Sequence, residues 1–214
     1  MIGFLMDETF FNQFTNLDSI DMRIINYLRD TESKETNRIW KLLKHSHIRA
    51  LYEQPLNKSE KNQLIYRDDN QMEKRVFNFP LVEEVITDTC SILKVYIHSI
   101  EPITHLSAKV NIEIDIVSHN SLTNVYNDES DLLDGGREIE NNIITKNRNN
   151  ILLKSILKTL NGANIEGVGK LQFNGELSKE SKVKNHLNNQ DNFYGYSLIM
   201  TCMISDMGEA INGF

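Results

Sequence analysis

Apolar residues recur at helical spacing through the first third of the chain. DSIDMRIINYLRD sets Ile20, Ile24 and Leu28 four residues apart, and TNRIWKLLKHSHIRALY sets Ile39, Leu43, His47 and Leu51 along one face with Trp40 beside it. Both stretches are predicted helices. After Pro55, Asn57 stands three residues before Glu60, the spacing of a capping box, so a short third helix is expected there. Residues 67–74 are polar and charged and read as a linker or exposed loop.

From Val76 the period shortens. VFNFPLVEEVITD reads as a short extended piece with Pro80 opening a helical turn. ILKVYIHSIEPI and AKVNIEIDIVSHN then alternate with period two across a few turn residues, the pattern of an antiparallel hairpin. Val110, Ile112, Ile114 and Ile116 are expected on the core face. Asn111, Glu113 and Asp115 are expected on a face meeting water or a partner. NRNNILLKSILKTLNG returns to helical spacing with Leu152, Leu153, Ile156, Leu157 and Leu160 on one side, and Asn161-Gly162 ends it. Two further strands are predicted in GVGKLQFNG and FYGYSLIMTCMIS, joined by a polar loop from Lys179 to Gln190. The order of elements gives an α+β fold, a mainly antiparallel sheet of about four strands with a packed amphipathic helix, preceded by a helical N-terminal region. The expected division is 1–75 helical and 76–214 α+β, with a long acidic loop at 120–142.

Closely spaced glycines before a lysine, in LNGANIEGVGKLQFNG, invite comparison with a phosphate-binding loop. That loop needs G-x-x-x-x-G-K-[ST] between a strand and a helix start, so that backbone N–H groups point at the phosphates. Here Val168 takes the lysine place after Gly162 and Gly167, Leu171 follows Lys170, and the helix comes before the glycines. A helix stop and turn is the expected use.

The chain has 214 residues, 40% of them hydrophobic, enough to bury a sizeable core. MIGFLMDETFF lacks a basic n-region and no apolar run reaches membrane-spanning length, so neither export nor membrane insertion is expected. Cys90 and Cys202 form no C-x-x-C pair and read as buried thiols, with neither a disulfide nor a zinc site expected. A net charge of −7 argues against gripping duplex nucleic acid by its phosphates.

Catalytic constellations are sparse. His98, His105 and His119 lie in or beside the hairpin with Glu113 and Asp115 near them, but their positions on strand, turn and strand end give ligation no convergence point, so surface histidines are expected and no metal is required. Glu113 and Asp115 share a strand face without a nucleophile beside them. No catalytic residue and no cofactor are assigned. Charge is more informative. Asp128, Glu129, Asp131, Asp134, Glu138 and Glu140 crowd one stretch against a single Arg137, whereas residues 141–165 contain Lys146, Arg148, Lys154 and Lys158 and no acid. Lys154 and Lys158 are one helical turn apart. Two solvated surfaces would explain this. The sharper expectation is a head-to-tail interface, the acidic loop (Asp128, Asp131, Asp134, Glu138) of one subunit meeting the basic helix (Arg148, Lys154, Lys158) of the next, with the loop ordering on assembly.

RNNILLKSILKTLNGANIEGVGKLQFNG followed by FYGYSLIMTCMISD resembles the C-terminal half of tailed-bacteriophage neck and tail-terminator proteins, and the preceding hairpin fits the same pattern. The resemblance spans residues 77–206. It implies a ring-forming virion subunit between portal and tail, assembled in the host cytoplasm, with portal, other neck proteins and tail proteins as partners. It further implies no catalytic residues, and DNA passing through without specific binding. The helical first third departs from small terminators and leaves the ring position open. A small cytosolic enzyme or ligand-binding domain is the alternative from a different class.

Overall fold

The structure is a computed structural model and describes residues 17–67, 73–80, 89–104, 107–126, 145–173, 176–184 and 192–205. Three helices come first: α1 (Ile20–Asp30), α2 (Lys34–Lys44) and α3 (Lys58–Leu64). Ile20, Ile24 and Leu28 are all buried, as their spacing requires, and Ile25 joins them. Trp40 is buried in full because its indole N–H donates to the Leu28 carbonyl at 2.9 Å, at the end of α1 where backbone acceptors lack helical partners. Lys61 Nζ takes the neighbouring Arg29 carbonyl at 3.0 Å.

Two of these helices start on capping boxes. The Asn57 side chain accepts from Glu60 N at 3.0 Å while Glu60 Oε2 accepts from Asn57 N at 2.9 Å, the reciprocal pair predicted for α3. Ser33 and Thr36 make the equivalent exchange at α2. Replacing Ser33 with alanine strips one orphan donor of its acceptor, and we expect a loss of about 1 kcal/mol in unfolding free energy. Urea titration followed by circular dichroism checks this, and an unchanged midpoint would mean that the cap contributes nothing.

The α2 helix is shorter than its apolar pattern suggests. It ends at Lys44, and His45 already has extended geometry at φ −101° and ψ 121°. Leu51 is buried from a separate 3₁₀ turn, Ala50–Tyr52, and the His47 side chain is half exposed.

The sheet follows. Strands β1 (Val76–Phe77), β2 (Ser91–Thr104) and β3 (Ser107–His119) are succeeded by a small ribbon of β4 (Asn124–Tyr126) and β5 (Thr145–Asn147), then helix α4 (Arg148–Leu160). Beyond α4 come β6 (Asn164–Ile165), β7 (Gly169–Lys170), β8 (Lys182–Lys184) and β9 (Phe193–Ser205). The main sheet has five strands in the order β1-β2-β3-β9-β8, antiparallel apart from the β1-β2 pair. The fold is therefore α+β, with the predicted hairpin at its centre.

Three strand expectations need correction. GVGKLQFNG contributes no full strand: β7 pairs only with β6, and Gln172 makes a single bridge to Thr201. Its place at the sheet edge is taken by β8, from the stretch read as a polar loop. Among residues expected in the acidic loop, Asn120–Leu122 form a 3₁₀ turn and β4 follows, with Leu122 and Val125 buried. Pro80 lies in a bend, and the helical turn expected after it falls outside the described residues.

Both faces of β3 are covered. Val110, Ile112, Ile114 and Ile116 enter the main core, but Asn111 and Asp115 on the reverse face are also fully buried. They are tolerated because each is partnered. Asp115 lies 3.7 Å from Lys94 Nζ and accepts from the Tyr96 hydroxyl at 3.2 Å, while Asn111 bonds Ser99, Glu101 and Thr201. Burial, with the Asp115 and Glu113 carboxylates beside it, drives the Tyr96 phenol well above its usual range.

Helices and sheet share one hydrophobic cluster, in which Ile24, Trp40 and Leu43 join Ile112, Ile114, Ile156 and Leu198. The boundary near residue 75 thus marks a change of secondary structure inside a common core. After α4 the chain turns sharply at Gly162, whose φ of +87° suits glycine, and its N–H donates to Leu171 O at 2.7 Å. The glycines read above as a helix stop and turn have that use.

Candidate interaction site: the basic cleft beside helix α4

Helix α4 begins where β5 ends. Asn147, last residue of β5, is its N-cap: the side-chain oxygen accepts from Asn149 N at 2.9 Å and Asn150 N at 3.3 Å, so its amide nitrogen is left to donate, to the Tyr194 hydroxyl at 3.1 Å.

Arg148, grouped above with the interface cations, points into the protein instead. Its guanidinium is fully buried and donates to Leu42 O at 2.7 Å, His45 O at 2.9 Å and His47 O at 3.0 Å. These carbonyls close the C-terminal end of α2, where a positive charge also meets the negative end of the helix dipole. Burial lowers the Arg148 pKa to about 10, which still keeps it charged at neutral pH. Arg148 is a structural clamp between α2 and α4 and takes no part in the protein's surface. Beside it, Ser91, Ser118 and Asn149 form a buried polar chain that ends with Asn149 Nδ2 donating to Tyr194 O at 2.8 Å.

The other two candidate cations separate. Lys158 Nζ lies 3.2 Å from Glu35 Oε1 on α2, an internal ion pair. Glu35 also accepts from the Ser155 hydroxyl at 2.7 Å and faces Arg38 Nη1 at 3.5 Å. Burial would raise the Glu35 pKa, but the hydrogen bonds from Ser155 and Lys158 outweigh it and hold the carboxyl below its ordinary value. Lys158→Glu would therefore set two carboxylates against each other inside one subunit, so that variant reports on folding as well as on assembly. Lys154, exposed on the preceding turn, is the cleaner probe.

Lys154 lines a cleft of about 270 Å³ with Arg38 of α2, Lys146 and Asn147 of β5, and Asn150, Ile151 and Ser155 of α4. Among the described residues its lining holds three cations and no acid. Sequence spacing had joined Lys154 with Lys158. The fold joins it with Lys146 and Arg38 because β5 leads directly into α4 and α2 packs along the helix. Arg38 was invisible as a site residue, since an arginine on an amphipathic helix of a charged chain carries no signal until its packing partner is known. Asp128, Asp131, Asp134 and Glu138, the acidic half of the expected interface, lie outside the described residues.

Elsewhere the titratable groups are engaged locally. His98 Nδ1 is 2.8 Å from Glu113 Oε2, Ser197 donates to the other oxygen of Glu113 at 2.5 Å, and His119 Nδ1 is 2.8 Å from Ser121 Oγ; His105 lies outside the described residues. Among the described residues no three His, Cys, Asp or Glu side chains converge as a metal set. Cys90 and Cys202 are free and buried, and burial pushes the Cys202 thiol up to about 12. No helix among the described residues is long and apolar enough to cross a membrane.

Fold and cleft together define an α+β domain with a cleft beside α4 lined by Arg38, Lys146 and Lys154. The chain belongs to the YomW family, whose match spans residues 21–202, and that family is phage-derived. No curated protein and no solved structure matches the chain.

Proposed function

We propose that this protein is a structural subunit of a bacteriophage virion neck, a head-to-tail connector or tail terminator that forms a ring joining portal to tail. Membership of a phage-derived family is the observation that carries the reading. The pattern of the central hairpin, α4 and β9 supports it, as does the separation of charge into an acidic stretch and a basic surface, which suits head-to-tail contact between identical subunits. The role is non-enzymatic and needs no cofactor. DNA crosses the ring without specific contacts, in keeping with a net charge of −7. The subunit resides in the virion after assembly in the host cytoplasm, alongside portal, neck and tail proteins.

Quantitative mass spectrometry of purified particles tests this. The chain should be present in whole virions in fixed ratio to the portal protein. Its absence from whole particles and isolated tails alike would contradict the reading. The cleft itself favours a second reading, a domain that binds a small anion, which predicts a monomer saturable by such a ligand.

A further inference from the structure

We infer that the sheet of one subunit continues into the next, β8 of one copy pairing antiparallel with Ser99, Ile100 and Glu101 of β2 in its neighbour; the choice of a second copy rests on the ring reading above. Two sheet edges are bare. β1 covers the outer edge of β2 only at Leu93 and Lys94, and among the described residues nothing pairs that edge from Val95 to Ile103 or the outer edge of β8. Open edges are templates for a further strand. The irregularity between Ile97 and Ser99 on one side, and Pro102 with no N–H to donate on the other, shorten the usable part of β2 to three residues. β8 is three residues long as well, Lys182–Lys184.

The two faces match. Ile100 lies on the row of Val110 and Cys202, and Val183 on the row of Tyr196 and Ile116, so both stand on the helix-bearing side of the sheet, 44% and 59% exposed. Glu101 and Lys182 fall on the reverse side, in the rows of Lys109 and of Ser197. Strand direction alternates from β2 through β3 and β9 to β8, so copies repeated in one orientation bring β8 antiparallel to the next β2. Val183 then stands opposite Ile100 and Lys182 opposite Glu101, an apolar pair and an opposite-charge pair across one boundary. The Glu101 carboxylate is half exposed, and beyond its bonds from Asn111 and Lys109 it keeps acceptor capacity for a second lysine. Joining β2 to β2 about a twofold would set Glu101 against Ser99 and leave β8 bare. The rows of Val183 and Ile100 lie six residues apart, so successive copies step roughly 20 Å along the strands for every four strands, which span roughly 19 Å. The resulting tilt of about 45° is that of strands in closed barrels. The paired edges lie at opposite margins of the sheet, the arrangement a head-to-tail contact requires.

Cysteine crosslinking of the full-length protein tests the pairing, with Cys90 and Cys202 silent because they are buried. A chain carrying both Ile100→Cys and Val183→Cys, oxidised with diamide, should give a series of covalent multimers on denaturing gels. The yield should be several-fold higher than with Lys58→Cys, an exposed position on α3, in place of Ile100→Cys. Glu101→Cys with Lys182→Cys replaces the first pair should circular dichroism show that chain misfolded. Adding Lys182→Glu to the first pair should cut the multimers several-fold, and Glu101→Lys placed beside it should bring them back. Dimers from Ile100→Cys alone, in equal yield, would overturn the pairing in favour of a contact between two β2 edges. Rings in micrographs without any crosslink would overturn the edge pairing and leave the ring reading standing. Crosslinked multimers in open filaments would support the pairing while removing the closed ring, and neither product would overturn both.

Discussion

Gly195→Ala should be among the most destabilising single-methyl additions in the molecule. Gly195 lies within β9, paired with Val117 of β3 on one side and Lys184 of β8 on the other. A Cβ built there would stand 1.8 Å from the Ile116 carbonyl oxygen and 2.8 Å from the Val117 Cα. Both obstacles are backbone, so no rotamer change relieves the overlap and the β3-β9 ladder must open. Overpacking of this kind costs about 3 kcal/mol or more, which for a chain of this size lowers the melting temperature by roughly 6–12 °C. Gly162→Ala is the internal control. Nothing lies within 4 Å of a Cβ at Gly162, so only its φ of +87° opposes alanine, at about 1–2 kcal/mol. Calorimetry of the two variants should therefore rank Gly195→Ala well below Gly162→Ala. Equal melting points would contradict the close approach of β3 and β9 at Gly195.

Arg148→Met should be comparably severe, for a different reason. The substitution keeps an apolar stem of similar length but deserts three carbonyls, those of Leu42, His45 and His47, in a buried position. Removing one partner of a buried charged network costs about 3–5 kcal/mol. Arg148→Lys should recover part of the loss, since an ammonium restores the charge but not the planar fork that reaches several acceptors together. Denaturant unfolding at a concentration where the chain is monomeric gives the comparison. A folded monomer of wild-type stability that fails only in assembly would return Arg148 to the interface.

Arg148 also shows where reading the sequence stops. The amphipathic helix from 148 to 160 was legible because its apolar period is local, and the hairpin of β2 and β3 because alternation over a dozen residues is local too. The carbonyls that Arg148 clamps lie 101 to 106 residues earlier in the chain, so its spacing from Lys154 marked it as one more cation on a basic helix. The same distance hides the end of α2: its apolar pattern runs on through His47 and Leu51, but the helix stops at Lys44, and Arg148 takes one carbonyl of its last turn, Leu42, and those of His45 and His47 beyond it. Alternation puts Asp115 toward solvent, which holds for a sheet with one wet face and fails when a buried lysine and a half-buried tyrosine wait on the other. Gly195 carries no mark at all among its strand neighbours, since close backbone approach is set by strand packing. Of the basic cleft, Lys146 and Lys154 were visible as charges, while Arg38 required the packing of α2 on α4.

The central claim is that identical subunits close into a ring through opposite charges. Electron microscopy of the purified full-length chain, at low and at high salt, addresses it most directly. The account predicts closed rings of uniform diameter at low salt that thin out as ionic strength rises, and that fail to form with Lys154→Glu although the monomer stays folded. A folded monomer at every concentration and salt, or rings indifferent to both salt and Lys154→Glu, would contradict it.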